Sequence, residues 1–197
     1  MRFRESLSLA LSLALALTLA LAGGCGPRSL TARPGGVDLK PGHYLEAYYR
    51  APDFAPEQVV CTLTPFTVEQ AQGVAPEAFQ TLLQQELVRA WTANGLKLAP
   101  PGEQSCLLTG TVEAVKVRGP RLRRLLGRIA AELWVSGTIR RGEEILFAFR
   151  DRIRVVSPIN PGPPPPKETE LLLMQAARMV VVHLLNELLI HGTAAGG

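Results

Sequence analysis

Residues 129–156, IAAELWVSGTIRRGEEILFAFRDRIRVV, decide the fold, because they alternate apolar and polar side chains on both sides of one turn. In the first half the odd-numbered positions from Ile129 to Ile139 are mostly apolar, and Gly142 lies in the turn RRGE. The pattern predicts a β-hairpin with one apolar and one polar face. The second strand's apolar face carries Ile145, Phe147, Phe149, Ile153 and Val155; its polar face carries Arg150, Arg152 and Arg154.

Upstream of the hairpin, the sequence predicts two strands with a helix between them. The strands are VVCTLT at 59–64 and CLLTGTVEAV at 106–115, and the helix begins near Pro76 and ends at Asn94-Gly95. Downstream, a proline-rich connector at 157–166 leads to a long helix from Glu168 to about His191. An aromatic segment at 43–49 adds a further candidate strand.

This order, β-α-β-β-β-α, predicts an α+β fold. We expect a two-layer sandwich in which a small mixed sheet of 4–5 strands carries two helices on one face. The first β-α-β unit should make its two strands parallel, whereas the later hairpin is antiparallel. The polar side of the hairpin indicates that the second sheet face is partly exposed.

The last helix is strongly apolar over 171–190. It could therefore either cross a membrane or pack on the sheet of a globular domain. Polar residues recur along it at spacings that form one stripe. Because Arg and Glu are costly in hydrocarbon, the stripe favours a helix packed on the sheet that shows only this side to water. The stripe consists of Gln175, Arg178, His183, Asn186 and Glu187.

The N-terminus has the three parts of a secretory signal: Arg2 and Arg4, an apolar run from Leu7 to Ala22, and small residues before Cys25. We therefore predict a signal peptide at 1–24, a tether at 25–42, a single domain at 43–191 and a disordered tail at 192–197. The tether is rich in Gly, Pro, Arg and Ser.

Composition excludes several classes of protein. Hydrophobic residues make up 47% of the 197 residues, so most of the chain is not disordered. A net charge of +4 is too small to indicate nucleic-acid binding. Three cysteines cannot form a four-cysteine zinc site, and His43, His183 and His191 lack the spacing of metal ligands. We expect no metal, no cofactor and no catalytic residue.

Cys61 and Cys106 lie on the inward faces of two strands predicted to be neighbours. An oxidising compartment favours a disulfide between them, whereas disulfide geometry across adjacent parallel strands is demanding. The alternative is a pair of buried free thiols that behave as small apolar side chains. Both interpretations remain open at this point.

Arginines crowd the segment RGPRLRRLLGR at 118–128, where leucines alternate with them. Guanidinium groups suit bidentate contacts with phosphate, and leucines suit an acyl boundary. The segment therefore predicts binding of an anionic lipid or of a protein partner, and the alternative is a solvated loop with its leucines turned inward. The candidate contact residues are Arg121, Arg123, Arg124 and Arg128. Arg150, Arg152 and Arg154 either extend this surface or pair with Glu132.

The segment LAGGC at 21–25 resembles a bacterial lipobox, although Leu21 lies one residue further from the cysteine than usual. This resemblance implies cleavage before Cys25 and acylation there, and multiple acyl chains give stable anchoring. Gly26 in place of Asp implies the outer membrane. Together with VVCTLTPF and RLRRLLGRIAAELWVSGTIRRGEEILFAF, the lipobox resembles small bacterial outer-membrane lipoproteins. The order of elements is similar to the lipopolysaccharide-assembly family LptE and to the N-terminal part of the curli secretion family CsgG.

The resulting hypothesis is a non-enzymatic outer-membrane lipoprotein that faces the periplasm. It would act as an envelope-assembly or transport accessory by binding a protein partner or an anionic envelope lipid, or by self-association. An LptE-like lipopolysaccharide-transport component is one alternative, and an uncharacterised envelope enzyme is another.

The lipid anchor gives the first testable prediction. Cys25→Ser removes the thiol that would carry diacylglycerol, so the chain should lose palmitate labelling and move from the membrane to the soluble fraction. Cys61→Ser is the control, and it should keep both the label and the membrane location. Labelled, membrane-bound Cys25→Ser protein would contradict the prediction.

Overall fold

The computed structural model describes residues 33–99, 105–119, 127–159 and 167–190. Within these ranges two α-helices pack on one mixed sheet of eight strands. The helices are α1 (Pro76–Ala93) and α2 (Glu168–Ile190). The strands are β1 (Ala47–Arg50), β2 (Val60–Leu63), β3 (Thr67–Val68), β4 (Ala71–Gln72), β5 (Lys97–Leu98), β6 (Cys106–Arg118), β7 (Ala130–Arg141) and β8 (Glu144–Val156).

Three long antiparallel strands, β6, β7 and β8, form the centre of the sheet, whose order is β1-β8-β7-β6-β2-β5. The alternation predicted for the hairpin is confirmed over most of its length, because Leu133, Val135, Ile139, Phe147 and Phe149 are all fully buried. These side chains form the inner face, which is the sheet face that the helices cover. The outer face is the opposite side of the same strands. The prediction is wrong for Ile145, because a register shift after Ile139 turns it to the outer face, beside Thr138.

The predicted α+β class with two helices is confirmed, but the expected 4–5 strands are wrong. The candidate strand at 43–49 corresponds to β1, and the strands that were not predicted are β3, β4 and β5, each of two residues. β2, β3 and β4 follow one another along the same edge of β6, and all three run parallel to it. Pro65 and the polar residues after it leave no alternating pattern there, so the sequence offered no signal for these short pairings.

Two glycines let aromatic rings lie flat on the middle of the sheet. Gly110 and Gly137 are paired neighbours in β6 and β7, and Gly137 is paired with Phe149 in β8. A Cβ atom on Gly110 would lie 2.3 Å from the Phe66 ring, and one on Gly137 would lie 2.7 Å from Phe149. Glycine is therefore required at both positions by close approach of the rings.

The helices are joined by a charged contact as well as by apolar packing. Glu86 of α1 accepts hydrogen bonds from Arg89 (2.6 Å) and from Arg178 of α2 (3.2 Å).

α2 is also the described helix that is long and apolar enough to cross a membrane. Half of it is buried in the protein, including Ala176, Val180 and Leu184, which are at most 1% exposed. The packed interpretation of this helix agrees with these contacts.

The expectation that α2 shows its whole polar stripe to water is wrong for two of its residues. Gln175 and Arg178 are exposed, but the Glu187 side chain is completely buried. Its Oε2 accepts hydrogen bonds from the backbone N–H groups of Tyr44 (2.7 Å) and Leu45 (3.2 Å). His183 Nδ1 lies 2.8 Å from Asp151 Oδ2, which belongs to the inner face of β8. Glu187 faces the interior, where it accepts from backbone N–H groups of the segment before β1, and His183 is only partly exposed because it contacts Asp151.

The residues before β1 pack on the sheet. Lys40 and Tyr48 exchange two backbone hydrogen bonds of 2.8 Å. A 3-10 turn at Pro34–Gly36 lies on the outer face, where a Cβ on Gly35 would meet the side chains of Ile145 and Thr138. Arg50, the last residue of β1, donates a hydrogen bond of 2.8 Å to the carbonyl of Leu188. This carbonyl lies in the last turn of α2, where helix carbonyls have no partner within the helix.

The Glu187 contact predicts a measurable difference between two substitutions. Glu187→Leu leaves the N–H groups of Tyr44 and Leu45 buried without this acceptor, which should lower the free energy of unfolding by about 3 kcal/mol. Glu187→Gln keeps a carbonyl oxygen in place and should lose less than half as much. Urea unfolding followed by circular dichroism gives both values. Equal losses would show that the two hydrogen bonds do not stabilise the fold.

Candidate functional site

An apolar groove lies between the N-terminal halves of the two helices. Its volume is about 760 Å³, which falls within the range of small-molecule sites. The floor includes Phe79 and Leu82 of α1, Leu173 of α2, and Ile129 at the start of β7. Ala78, Thr81 and Gln85 line it from the exposed side of α1.

Local sequence explains why the groove stays open at this end of the fold. Pro76 stands in the first turn of α1, so the helix begins directly after Gly73 and Val74, which also line the groove. Gly73 has a φ of 78°, a conformation that favours glycine, and it turns the chain from β4 toward the helix. The groove therefore occupies the corner between the end of this edge strand and the two helix starts.

The rim of the groove carries charges of both signs. Lys167, with a φ of 64°, immediately precedes α2, whose first turn contains Glu168 and Glu170; all three line the groove. The two carboxylates lie where the partial positive charge of a helix N-terminus stabilises them, so they have a structural reason to be there. Lys167 is the cationic member of the lining.

Of the four predicted arginines, Arg128 alone belongs to the described residues, and it is not part of the groove lining. Arg128 is exposed and directly precedes Ile129, which lines the groove. Arg121, Arg123 and Arg124 lie outside the described residues, as does Cys25. Ile129 is held by a reciprocal pair of bonds with Ser157, at 2.9 Å between backbones and 3.0 Å from its N–H to the Ser157 hydroxyl. The start of β7 is thus fixed at the groove.

Arg150, Arg152 and Arg154 lie on the outer face, away from the groove. The sequence alternative of pairing with Glu132 holds for Arg154, at 3.8 Å, and Arg118 also contacts Glu132 at 3.1 Å. Arg150 pairs instead with Glu46 at 3.2 Å. These arginines therefore do not extend the groove, and they belong to a second, separate surface.

Cys61 and Cys106 are directly opposed in the parallel strands β2 and β6, as predicted, and both are buried free thiols. Strands stand about 4.8 Å apart, whereas the Cβ atoms of a disulfide need about 3.8 Å. Burial, the neighbouring Cys106 charge and its hydrogen bond together raise the pKa of Cys61 to about 12. Its thiol is thus protonated and unreactive at neutral pH. The disulfide stays a prediction, which the mass of the unreduced, alkylated chain would test.

Sequence reasoning missed the buried acceptors Asp151 and Glu187. Glu187 was assigned to the polar stripe that was expected to face water, and Asp151 interrupts the apolar face of β8 without suggesting a partner. Their bonds go to His183 and to backbone N–H groups, which makes them structural. Among the described residues no group of three His, Cys, Asp or Glu side chains has the geometry to hold a metal ion.

No family model and no curated protein matches the sequence. Among solved structures, protein XCC0632 from Xanthomonas campestris, of the family DUF330, is similar with a TM-score of 0.52 and 12% identity. The match covers 74% of this chain and 92% of that one. This likeness shows a shared fold and nothing beyond it.

Structural neighbours also include bacterial lipoproteins. Rare lipoprotein B from Shewanella oneidensis and a minor lipoprotein from Acinetobacter baumannii each match with a TM-score of 0.40 and 12% identity. Each covers 66% of this chain, and the matches span 99% and 95% of those two chains. Likeness of this degree carries no argument about function, and the resemblance to LptE and CsgG stays a prediction.

The raised pKa of the Cys61 thiol should make the free energy of unfolding depend on pH in the alkaline range. Cys61 ionises near pH 9 when unfolded but near pH 12 when folded, so the unfolded state loses its proton first. The stability due to the buried thiol is fully present below about pH 9 and should decline as the pH rises toward 12. Urea midpoints under reducing conditions at pH 7 to 10.5 measure this decline.

Cys61→Ala is the matched comparison for the pH experiment. It should be less stable than the wild type at pH 7 because it leaves a small cavity. Its stability should fall less between pH 9 and 10.5, since the ionising group is gone. If the stability of both proteins fell equally with rising pH, the result would contradict a raised pKa at Cys61.

Proposed function

We propose that this chain is a lipid-anchored protein of the outer membrane that faces the periplasm and binds an acyl chain of an anionic envelope lipid in the groove. It would be a non-enzymatic accessory of envelope assembly or transport. The groove between α1 and α2 is the observation that carries the proposal, and Cys25 would supply the anchor.

The lining of the groove supports binding of an apolar chain. Its floor is formed by Phe79, Leu82, Ile129 and Leu173, and burial of methylene groups against such side chains contributes about 0.8 kcal/mol each. Most titratable groups of the lining stand at one end, in the first turn of α2 and the residue before it. Such a lining favours an amphiphile with its head at the rim.

The arginine-rich segment at 118–128 supports an anionic head group. In the lining itself Lys167 stands with the two carboxylates of Glu168 and Glu170, so most of the positive charge for the head group would come from this segment. The arginines predicted from sequence, Arg121, Arg123 and Arg124, belong to the segment that leads to Arg128. Guanidinium and ammonium groups bind phosphate through charge-assisted hydrogen bonds.

A protein partner is the competing occupant, because an amphipathic helix also fits a groove between helices. An LptE-like role in lipopolysaccharide transport is a narrower form of the proposal, and a stable complex with an outer-membrane barrel would favour it. An envelope enzyme would be favoured by turnover of a bound lipid.

The proposal is tested by filling the groove without disturbing the core. Ala78 is exposed on α1 and lines the groove, so Ala78→Trp should reduce the affinity for a fluorescent phosphatidylglycerol at least tenfold. Ala93→Trp is the matched control, since Ala93 is exposed at the far end of the same helix. Fluorescence titration of the detergent-solubilised full chain gives both affinities. Equal affinities for the two variants, or no binding by the wild type, would overturn the proposal.

The head-group part of the proposal has its own test. Replacing Arg121, Arg123 and Arg124 together by Glu should weaken binding of phosphatidylglycerol much more than binding of an uncharged diacylglycerol. The same titration with both lipids measures the ratio. If the ratio of the two affinities did not change, the arginines would not bind the head group. The proposal that the groove binds the acyl chain would be unaffected.

A further inference from the structure

The outer face of the sheet carries a cluster of cations at its open end, away from the hairpin turn. Lys116 and Arg118 of β6 and Arg152 and Arg154 of β8 flank Glu132 and Trp134 of β7. The Glu132 side chain is only 7% exposed and lies between Arg118 and Arg154, which are 62% and 65% exposed. Four cations thus surround one shielded carboxylate. We call these six residues the cationic face.

Trp134 stands at the centre of the cationic face and is held by two of its charges. The Lys116 ammonium lies 5.4 Å from the centre of the indole ring, and the Arg152 guanidinium lies 5.2 Å from it. Both distances are typical of cation–π contacts. An indole surrounded by cations is the composition found where proteins meet the head-group region of a membrane.

Two other charged groups of the outer face have partners on the same side. Arg150 pairs with Glu46, and Glu113 accepts a hydrogen bond from the Ser136 hydroxyl at 2.9 Å. In the cationic face, by contrast, four cations stand with the single carboxylate of Glu132.

The first described residues of the chain also lie on this side. The 3-10 turn at Pro34–Gly36 packs on Ile145 and Thr138 of the outer face, four residues along β7 from Trp134. Four residues of a strand span about 13 Å. Cys25 precedes Arg33 by eight residues, which reach at most about 28 Å when fully extended. An anchor at Cys25 would therefore limit how far the outer face can stand from the lipid surface.

We propose that the cationic face is a membrane-contact surface, which lies against the anionic head groups of the membrane that holds the anchor. The proposal rests on the anchoring part of the proposed function and not on the groove. It commits the sheet to one orientation, in which the outer face meets lipid and the two helices point away from it.

Charge complementarity favours an anionic lipid surface over other partners. Each Lys or Arg near such a surface strengthens binding about fivefold, and salt screens the attraction. The arginine and lysine stems also cover apolar surface while their heads stay in the polar layer.

Lysine labelling of the full lipidated chain tests the orientation. In vesicles that contain phosphatidylglycerol, Lys116 should react severalfold more slowly with a water-soluble amine reagent than in phosphatidylcholine vesicles. Lys97 on edge strand β5 serves as the internal control and should react equally in both. Mass spectrometry reads both sites in one sample. Flotation of the vesicles first confirms that the anchor is in place, which separates failure of anchoring from failure of this proposal.

Protection of Lys97 in place of Lys116 would overturn the proposal, because it would turn a different side of the sheet to the membrane. Equal labelling of Lys116 in both lipids would overturn it as well. Protection of Lys116 in cells but not in purified vesicles would assign the cationic face to a protein partner and would also refute membrane contact.

Two matched double variants complete the test. In the Cys25→Ser chain, which has no anchor, Arg152→Gln with Arg154→Gln should weaken binding to phosphatidylglycerol vesicles about 25-fold. Arg89→Gln with Lys97→Gln removes the same charge from exposed positions elsewhere and should change binding little. Vesicle sedimentation measures both, and urea midpoints check that each variant is folded. Equal weakening by the two pairs would show a response to net charge alone and would contradict the proposal.

Discussion

Buried carboxylates hold the beginning of this domain to its end. Glu187 of the last helix accepts the N–H groups of Tyr44 and Leu45, and Asp151 of the sheet contacts both His183 and the N–H of Glu46. A carboxylate in an apolar interior is costly unless its bonds are made, so these contacts must form together with the core. They fix where the chain enters the domain, and that point determines which sheet face the N-terminal segment can cover.

The two sides of the sheet therefore differ in what covers them. The inner side supports α1 and α2, and the corner between their first turns stays open as the groove. The outer side is covered only near the hairpin turn among the described residues, and beyond it the cations surround Trp134. A protein anchored close to the outer side and open on the helical side can engage a membrane and a ligand at the same time.

The sequence predicted the long elements well because they carry strong periodicity. The alternation of β7 and β8 and the helical spacing of α1 gave their positions and their buried sides. β3, β4 and β5 were missed because two residues are too few for a pattern, and their pairing depends on β6 running past them. Of the candidate site, the predicted arginines remain a prediction from local charge density, and Arg128 is the described one. The groove itself was not predicted, because Ala78, Ile129 and Leu173 are far apart in sequence and meet only through packing.

The attachment of residues 33–50 also sets how the domain bears mechanical load. A pull on a lipid anchor would enter at Arg33 and reach the antiparallel contact between Lys40 and Tyr48 before any other pairing. The next contacts to bear load are the hydrogen bonds to Glu187, which lies in the last helix, and the pairing of β1 with β8 in the sheet. Tension at one end of the chain is thereby shared with its other end, so the hydrophobic core does not have to resist the force alone.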